Sequence, residues 1–293
     1  MTYQLRPYQR ACIDSIWNHI STKETNPVAV LPTGAGKSVV LSQIAKDTIV
    51  WGGKILFLSH VRELVQQVAD HIHKLVPEAP IGIYSAGLKS RDLGCAITVA
   101  GIQSTYQRAG EIGHIDIVAI DEAHLIPEDG EGMYRTLLLG LKEINPAIRL
   151  LGTTATPFRL STGKIAKPEN LLQEICYQVG VKELIRDGWL SPIKARASEA
   201  EADLSKVHIR AGEFIQEEVE AVMGEAGLVA QAVAELIELT KDRKSILVFA
   251  SGVGHAQLLD AMLQDCGESS ACVIGDTLSP ERDRIIKDFR AGA

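Results

Sequence analysis

The chain has 293 residues, 46% of them hydrophobic, and a formal net charge of −7 at pH 7. This length and apolar content suffice for about two domains with full cores, which excludes an intrinsically disordered chain. No apolar run approaches the ~18 residues of a membrane span, and the N-terminus lacks a signal-peptide pattern. We therefore expect a soluble, cytoplasmic protein with no membrane partner.

The charge balance bears on nucleic-acid binding. Lys and Arg number 30 against 37 Asp and Glu, whereas proteins that bind duplex DNA through charge alone are usually basic. The acidic total predicts weak, salt-sensitive binding of nucleic acid. It does not exclude a motor that holds one strand through backbone amides and hydroxyls on loops, because the local potential of a cleft then matters more than the total.

Cysteines and histidines give no pattern of a metal site. The five cysteines are scattered and include no C-x-x-C pair, so we expect neither disulfides nor a zinc site in this chain. His71 and His73 lie on one predicted helix but are two residues apart, so they face different directions and cannot share a metal. We expect both at the surface.

The N-terminal part predicts a helix, then a strand, a tight turn and a second helix. Apolar residues recur with helical spacing over residues 9–20, and residues 28–31 form an apolar run. A Gly-rich turn follows, and a new helical pattern begins at Val39. A buried strand that leads through a tight turn into a helix N-terminus is what a phosphate-binding loop requires.

The residues of this turn suit a nucleotide. Gly34 and Gly36 permit the backbone angles that direct successive N–H groups at phosphate oxygens. Lys37 can reach the β and γ phosphates, and Ser38 offers a hydroxyl oxygen to Mg²⁺. Leu31 stands where the full G-x-x-x-x-G-K-[ST] pattern has its first Gly, so a chance Gly-rich turn is an alternative. The predicted ATP-binding loop comprises Pro32, Thr33, Gly34, Ala35, Gly36, Lys37 and Ser38.

Acidic and hydroxyl residues follow two later apolar runs. Asp121 and Glu122 come directly after residues 117–120, and a Thr-Ala-Thr-Pro sequence comes after residues 150–152. Strand ends of this kind are usually solvated turns, but α/β sheets also bind ligands there, and the phosphate loop upstream favours that reading. We expect Asp121 to hold Mg²⁺ through its water shell and Glu122 to orient and deprotonate the attacking water.

Strand and helix patterns alternate through the first two hundred residues. The helical pattern that starts at Arg62 has a clear period of 3.6 residues. Alternation of this kind predicts a parallel α/β sheet covered by helices on both faces. The strands of this part are predicted at residues 54–58, 81–84, 97–100 and 116–120.

Taken in order, the phosphate loop, Asp121-Glu122-Ala123-His124 and Thr154-Ala155-Thr156 resemble motifs I, II and III of the superfamily 2 helicases and translocases. Leu5-Arg6-Pro7-Tyr8-Gln9 resembles their Q motif. The resemblance covers nearly the whole chain and implies a RecA-like P-loop NTPase fold and ATP-dependent movement on DNA. Phrases such as Gly275-Asp276-Thr277 look most like the RadD-type branch of bacterial DNA-repair helicases, while restriction-enzyme motors and RNA helicases stay open as alternatives.

The resemblance also implies roles for single residues. Gln9, with Arg6 beside it, would read the adenine edge, and His124 would belong to the nucleotide site. Thr154 and Thr156 would couple that site to nucleic acid. A single-stranded tracking strand of DNA would be contacted by residues of the remaining first-domain motifs. These are Ser59, His60, Arg62, Gly87, Gln103 and Ser104.

The resemblance predicts two RecA-like domains, the second incomplete. The first spans residues 1–195, a connector spans 196–225, and the N-terminal part of the second spans 226–293. Motifs V and VI of the family, with their arginine finger, have no counterpart before residue 293. We therefore expect residues 1–293 to bind ATP, to hydrolyse it slowly even with single-stranded DNA, and not to unwind a duplex. An ATP-binding fragment without turnover is a further alternative.

Within the second domain the sequence predicts three helices and two strands. The helices are expected over residues 228–237, where apolar positions follow a helical period, and over residues 255–263 and 280–289. The strands are expected over residues 245–251 and 271–274, which are apolar and rich in β-branched residues.

Overall fold

The structure, a computed structural model, describes residues 4–59, 62–126, 132–159, 163–194, 202–210 and 213–292. The chain divides into two units, Met1–Pro192 and Ile193–Ala293. Across these described ranges, we find no helix with both the length and the apolar character needed to cross a membrane.

The first unit alternates strands and helices as the sequence predicts. Each of the four strands expected between residues 54 and 120 is present, with its ends displaced by at most one residue. The helices are α1 (Pro7–Thr22), α2 (Lys37–Val50), α3 (Arg62–Leu75), α4 (Ile102–Thr105), α5 (Ala109–Ile112), α6 (Met133–Ile144) and α7 (Val181–Arg186). The strands are β1 (Pro27–Val30), β2 (Ile55–Ser59), β3 (Ile81–Ser85), β4 (Ser90–Arg91), β5 (Ile97–Gly101), β6 (Ile117–Ile120), β7 (Arg149–Thr154), β8 (Phe158–Arg159), β9 (Gly163–Lys164) and β10 (Glu174–Gln178).

Eight of the described strands form one sheet in the order β10-β1-β7-β6-β2-β5-β3-β4. Its neighbours are parallel except for β3 and β4. The predicted parallel α/β sheet is confirmed. The sequence did not predict β10, which lies at one edge beside β1. Its apolar residues are flanked by polar ones and partly exposed, so it lacks the continuous apolar run that marks a strand buried on both faces.

Alternate side chains of the central strands enter two separate cores. On β2, Ile55 and Phe57 join the core that includes residues of α1, α2 and α3, whereas Leu56 and Leu58 join the core that includes residues of α6. The predicted apolar stripe of α3 is buried, and His71 and His73 are exposed as expected. Because helices cover both faces, the polar ends of the strands are where side chains can meet a ligand.

The second unit contains β11 (Ile209–Arg210), β12 (Glu213–Phe214), α8 (Gln216–Met223), α9 (Ala226–Thr240), α10 (Val253–Asp265) and α11 (Ser279–Ala291). The three predicted helices are confirmed as α9, α10 and α11. Val229 and Val233 of α9 pack with Leu259 of α10 in a small core.

The two strands predicted in this unit are wrong. Residues 245–250 and 271–274 have no strand assignment, and Leu247 and Phe249 are 67% and 86% exposed. A strand exists only when a neighbour satisfies its backbone groups, and two short strands alone are marginal in water. In the described part of this unit no further strand lies beside them, and the apolar residues 246–249 stay exposed.

Candidate active site

Three neighbouring strands present the predicted motifs at one edge of the sheet. The phosphate loop follows β1, Asp121 follows β6, and Thr154 ends β7, which lies between them. Because these strands are parallel, their carboxyl ends meet at the same edge. The strand order therefore assembles residues that are far apart in the sequence.

The phosphate loop has the backbone geometry of an anion site. Gly34 and Gly36 have φ angles of 83° and 81°, and Gly36 caps the N-terminus of α2. These angles favour glycine, and a helix N-terminus presents unpaired N–H groups and a partial positive charge. Leu31, the departure from the full motif, is completely buried, so this position serves the core. Lys37, the first residue of α2, is only 11% exposed at its side chain.

Asp121 is oriented by two hydrogen bonds to one carboxylate oxygen. Its Oδ1 accepts from the Thr153 hydroxyl at 2.8 Å and from the Glu122 amide at 3.0 Å. The pairing of Ile120 with Gly152 sets this contact, because it places Asp121, which follows β6, beside Thr153, the next residue of β7. Among the described residues both of these donors bond Oδ1, and neither bonds Oδ2. A carboxylate and the hydroxyl of Ser38 are the hard oxygen donors that suit Mg²⁺.

Glu122 lies between two cationic or polar partners. Its Oε1 is 3.8 Å from the Lys37 ammonium nitrogen and its Oε2 is 3.4 Å from His124 Nδ1. The Glu122 backbone has φ of 51°, in the left-handed region that residues other than glycine seldom adopt. Such strain costs about 1–3 kcal/mol and is characteristic of functional sites. It directs the carboxylate toward the phosphate loop.

His124 connects the acidic motif to the Thr-Ala-Thr motif. Its Nδ1 is 3.0 Å from Thr154 Oγ1, and the Thr156 amide donates to the same oxygen at 3.1 Å. The tautomer of His124 decides which group donates in the first of these bonds. The three residues therefore form one polar network beside Glu122, although their coupling role stays a prediction.

Arg6 and Gln9 lie beside the phosphate loop. The Gln9 side chain is 1% exposed; its amide nitrogen donates to the Ala35 carbonyl at 3.0 Å and its oxygen accepts from the Arg6 amide at 3.0 Å. A Cβ at Gly36 would lie 2.6 Å from this amide nitrogen, so Gln9 also requires glycine there. The predicted reading of adenine by Gln9 stays a prediction. What the structure shows is a link between α1 and the loop.

Tyr8 is a site residue that sequence reasoning missed. Its hydroxyl donates to the Ala35 carbonyl at 2.7 Å and accepts from Arg6 Nη1 at 3.1 Å. The available signal was its place between Arg6 and Gln9 in a motif already singled out. Thr153 was missed as well, because only the register of β6 and β7 brings it to Asp121.

The residues predicted to contact nucleic acid belong to the other half of the sheet, near the carboxyl ends of β2, β3 and β5. Ser59 ends β2 and is 3% exposed, while Gly87 follows β3 and Gln103 lies in α4, both exposed. Ser104 accepts a hydrogen bond from the Ala86 amide at 3.0 Å, which ties the loops after β3 and β5 together. His60 and the side chain of Arg62 lie outside the described residues. Contact of this set with nucleic acid stays a prediction.

Replacing Thr153 by valine is expected to lower the free energy of unfolding of the first unit by about 1–2 kcal/mol. Valine keeps the shape of this fully buried side chain, but Asp121 loses a charge-assisted hydrogen bond and, among the described residues, keeps the one from the Glu122 amide. Urea unfolding followed by circular dichroism measures the change. Thr136→Val makes the same substitution at an exposed position of α6 and is expected to be nearly neutral. Equal effects of the two variants would contradict the role of Thr153.

Comparison with known protein families shows which family the chain belongs to. The family described as type III restriction enzyme, res subunit, matches residues 2–159, more than half of the 293 residues. The chain belongs to this family. The predicted membership of the superfamily 2 helicases is confirmed by this match together with the helicase relatives given next. These matches do not single out the RadD-type branch.

Proteins similar to this chain include a helicase and a translocase. The putative ATP-dependent helicase IRC3 of Saccharomyces cerevisiae is 28% identical over 310 aligned residues, covering 98% of this chain and 43% of that protein. The DNA 3′-5′ translocase XPB2 of Sulfurisphaera tokodaii is 32% identical over 182 residues, covering 62% of this chain and 37% of that protein. The chain thus spans less than half the length of these two relatives.

Solved structures confirm the RecA-like fold class. The ATP-dependent Type ISP restriction-modification enzyme LlaBIII bound to DNA superposes with a TM-score of 0.64 at 11% identity, over 99% of this chain and 24% of that one. Dbp5 of S. cerevisiae bound to RNA and ADP BeF3 superposes with a TM-score of 0.58 at 16% identity, over 98% and 67% of the two chains. At these identities the likeness concerns the fold alone.

Proposed function

We propose that this chain is the ATP-hydrolysing part of a DNA helicase or translocase. The observation that carries the proposal is the approach of Lys37, in the phosphate loop, to within 3.8 Å of Glu122 at the end of a neighbouring strand. A phosphate-binding loop and a strand-end carboxylate at this separation can hold a nucleoside triphosphate and the water that attacks it. Family membership supports the same class of reaction.

Each residue has a distinct part in the proposed hydrolysis. The N–H groups of the loop and the Lys37 ammonium bind the β and γ phosphates. Glu122 accepts a proton from the attacking water as the γ-phosphoryl group leaves ADP, and the products are ADP and inorganic phosphate. Ser38 and Asp121 would hold Mg²⁺, which when bound neutralises charge on the phosphate oxygens. The His124 and Thr154 contacts keep the Glu122 carboxylate next to the loop.

DNA is the favoured nucleic acid in this proposal. The name of the XPB2 relative specifies DNA, and the candidate contact residues lie at the ends of β2, β3 and β5, next to the ends of β6 and β7 that would bind the nucleotide. Because the two sets of residues are adjacent at one end of the sheet, a change from bound ATP to bound ADP would alter how tightly the DNA strand is held. Loops of this kind contact the backbone, so little sequence preference is expected.

Two finer assignments complete the proposal. The RadD-type branch and a role in DNA repair are supported by sequence phrases such as Gly275-Asp276-Thr277. The division into a RecA-like domain over residues 1–195, a connector over 196–225 and part of a second such domain over 226–293 is supported by the family resemblance and by the helices of the second unit. For residues 245–251 to form a strand of that second domain, a neighbouring strand would have to pair with them.

Single-turnover hydrolysis distinguishes the candidate functions. With the protein in excess over ATP·Mg²⁺, we expect single-stranded DNA to raise the rate above that of the protein alone, and RNA of the same sequence to raise it less. A larger acceleration by RNA would favour the RNA helicase alternative. ATP binding with no hydrolysis under any condition would leave an ATP-binding fragment. Salt titration should weaken the DNA effect, because the chain is acidic and its contacts are electrostatic.

A further inference from the structure

The segment that follows α7 is fixed by the way this helix ends. Gly188 has φ of 74° and its amide donates to the Ile185 carbonyl at 3.1 Å. The amides of Trp189 and Leu190 both donate to the Leu184 carbonyl, at 2.8 and 3.0 Å. Leu184 itself is 1% exposed in the core of the first unit. This glycine-dependent helix end turns the chain back and holds Trp189 and Leu190 in one position.

Trp189 lies against the two residues that border the phosphate loop. The Arg6 guanidinium carbon is 5.3 Å from the centre of the Trp189 ring. The Tyr8 ring meets the same tryptophan edge-on, with 6.0 Å between centroids and an interplanar angle of 63°. Both geometries are attractive, the first through the cation and the ring face and the second through the ring quadrupoles. Trp189 was outside every motif singled out in the sequence.

A chain of contacts ties Arg6 to the phosphate loop. Arg6 Nη1 donates to the Tyr8 hydroxyl, and that hydroxyl donates to the Ala35 carbonyl. The guanidinium is therefore held at one nitrogen by Tyr8 and lies over the ring of Trp189, while Arg6 as a whole is only half-buried. A planar cation fixed in this way can stack on a nucleotide base, because a guanidinium stacks on flat π systems. Triphosphate bound at Ala35 would carry its base within reach of this plane.

We propose that Trp189 is a positioning residue for the nucleotide base, acting through Arg6. Trp189 holds the Arg6 guanidinium in the plane that stacks on the base of a bound nucleoside triphosphate. The inference depends on the proposed function, since it assumes that the phosphate loop binds ATP. It adds to the site a residue that is distant in the sequence from every predicted nucleotide motif. It also makes the end of α7 part of nucleotide recognition.

The test compares a ligand that has a base with one that does not. Calorimetry measures the affinity of residues 1–293 for ATP·Mg²⁺ and for tripolyphosphate·Mg²⁺, which shares the phosphates but lacks the base. Trp189→Ala is expected to weaken ATP binding by about three- to ten-fold and to leave tripolyphosphate binding unchanged. Trp189→Phe, which keeps a ring face, should retain most of the ATP affinity. Trp51→Ala, at an exposed tryptophan after α2, is the matched control and should change neither.

A second comparison tests whether Trp189 acts through Arg6. In an Arg6→Ala background, Trp189→Ala should cause no further loss of ATP affinity, because the guanidinium that it positions is gone. Full additivity of the two losses would overturn the proposed route.

The remaining outcomes separate this inference from the proposed function. Leu190 packs near the phosphate loop, since a Cβ at Gly34 would lie 3.1 Å from its Cδ2. An equal loss for ATP and tripolyphosphate in Trp189→Ala would therefore show that the segment supports the loop and not the base, which overturns the inference but keeps ATP binding. No loss for either ligand also overturns it. A parent protein that binds neither ligand would overturn both proposals.

Discussion

Replacing Lys37 by alanine is expected to weaken ATP·Mg²⁺ binding by about 10²–10³-fold and to leave the fold intact. The ammonium group is the side-chain cation of the loop and would make charge-assisted contacts to two phosphates, each worth about 1.5–3 kcal/mol. Two contacts at the lower end of this range are worth roughly 3–4 kcal/mol together, which gives the expected 10²–10³-fold loss at 1.4 kcal/mol for each factor of ten. Calorimetric titration with ATP·Mg²⁺ measures the change, and circular dichroism checks the fold.

Lys46→Ala provides the matched control for this experiment. Lys46 lies on the same helix, α2, but is exposed on its surface. Its removal changes the net charge by the same amount, so it reports any general electrostatic effect on an anionic ligand. We expect its affinity to equal that of the parent. If Lys37→Ala bound ATP as tightly as Lys46→Ala, the loop would not be the phosphate site.

Replacing Glu122 by glutamine is expected to separate binding from chemistry. Glutamine keeps the shape of the side chain and its fit to the left-handed backbone, but it carries no charge and is not a base. Hydrolysis should fall by about 10²–10⁴-fold, the range for loss of a general base, while ATP·Mg²⁺ affinity stays close to that of the parent. Single-turnover hydrolysis with excess protein measures the rate even where steady-state turnover is slow.

Glu143→Gln is the control for Glu122→Gln. Glu143 is exposed on α6, away from the strand ends, so the same chemical change there should leave hydrolysis unaltered. Parental hydrolysis rates in Glu122→Gln would exclude this carboxylate as the base. A large loss of ATP affinity in that variant would instead assign Glu122 to ground-state binding, through its 3.8 Å approach to Lys37.

The features of the site that could be predicted from sequence are local ones. The phosphate loop was visible because a buried strand, two glycines, a lysine and a helix start follow one another within a few residues. Asp121 and Glu122 were visible because they directly follow an apolar run. In each case the backbone preference and the chemistry belong to neighbouring residues, so no knowledge of the rest of the chain was needed.

The first unit shows the same limit at the level of the fold. Apolar runs identified β2, β5 and β6, because strands buried on both faces must be largely apolar, whereas β3 was placed by the alternation of strand and helix patterns. The edge strand β10 escaped detection, since partial exposure removes that requirement. In the second unit residues 245–251 had the composition of a strand but lacked a hydrogen-bonded neighbour, and composition alone cannot supply one.

The sequence by itself determined the phosphate loop, the acidic motif, the parallel α/β class and the helices α1, α2, α3, α9, α10 and α11, because periodicity and turn chemistry act over a few residues. Only the tertiary structure decided which residues meet: Thr153 with Asp121, His124 with Thr154, and Trp189 with Arg6. Strand order, register and the direction in which α7 ends create these contacts. Each depends on how distant segments pack against a common core, and that packing minimises exposed apolar surface and unpaired backbone groups over the whole unit at once.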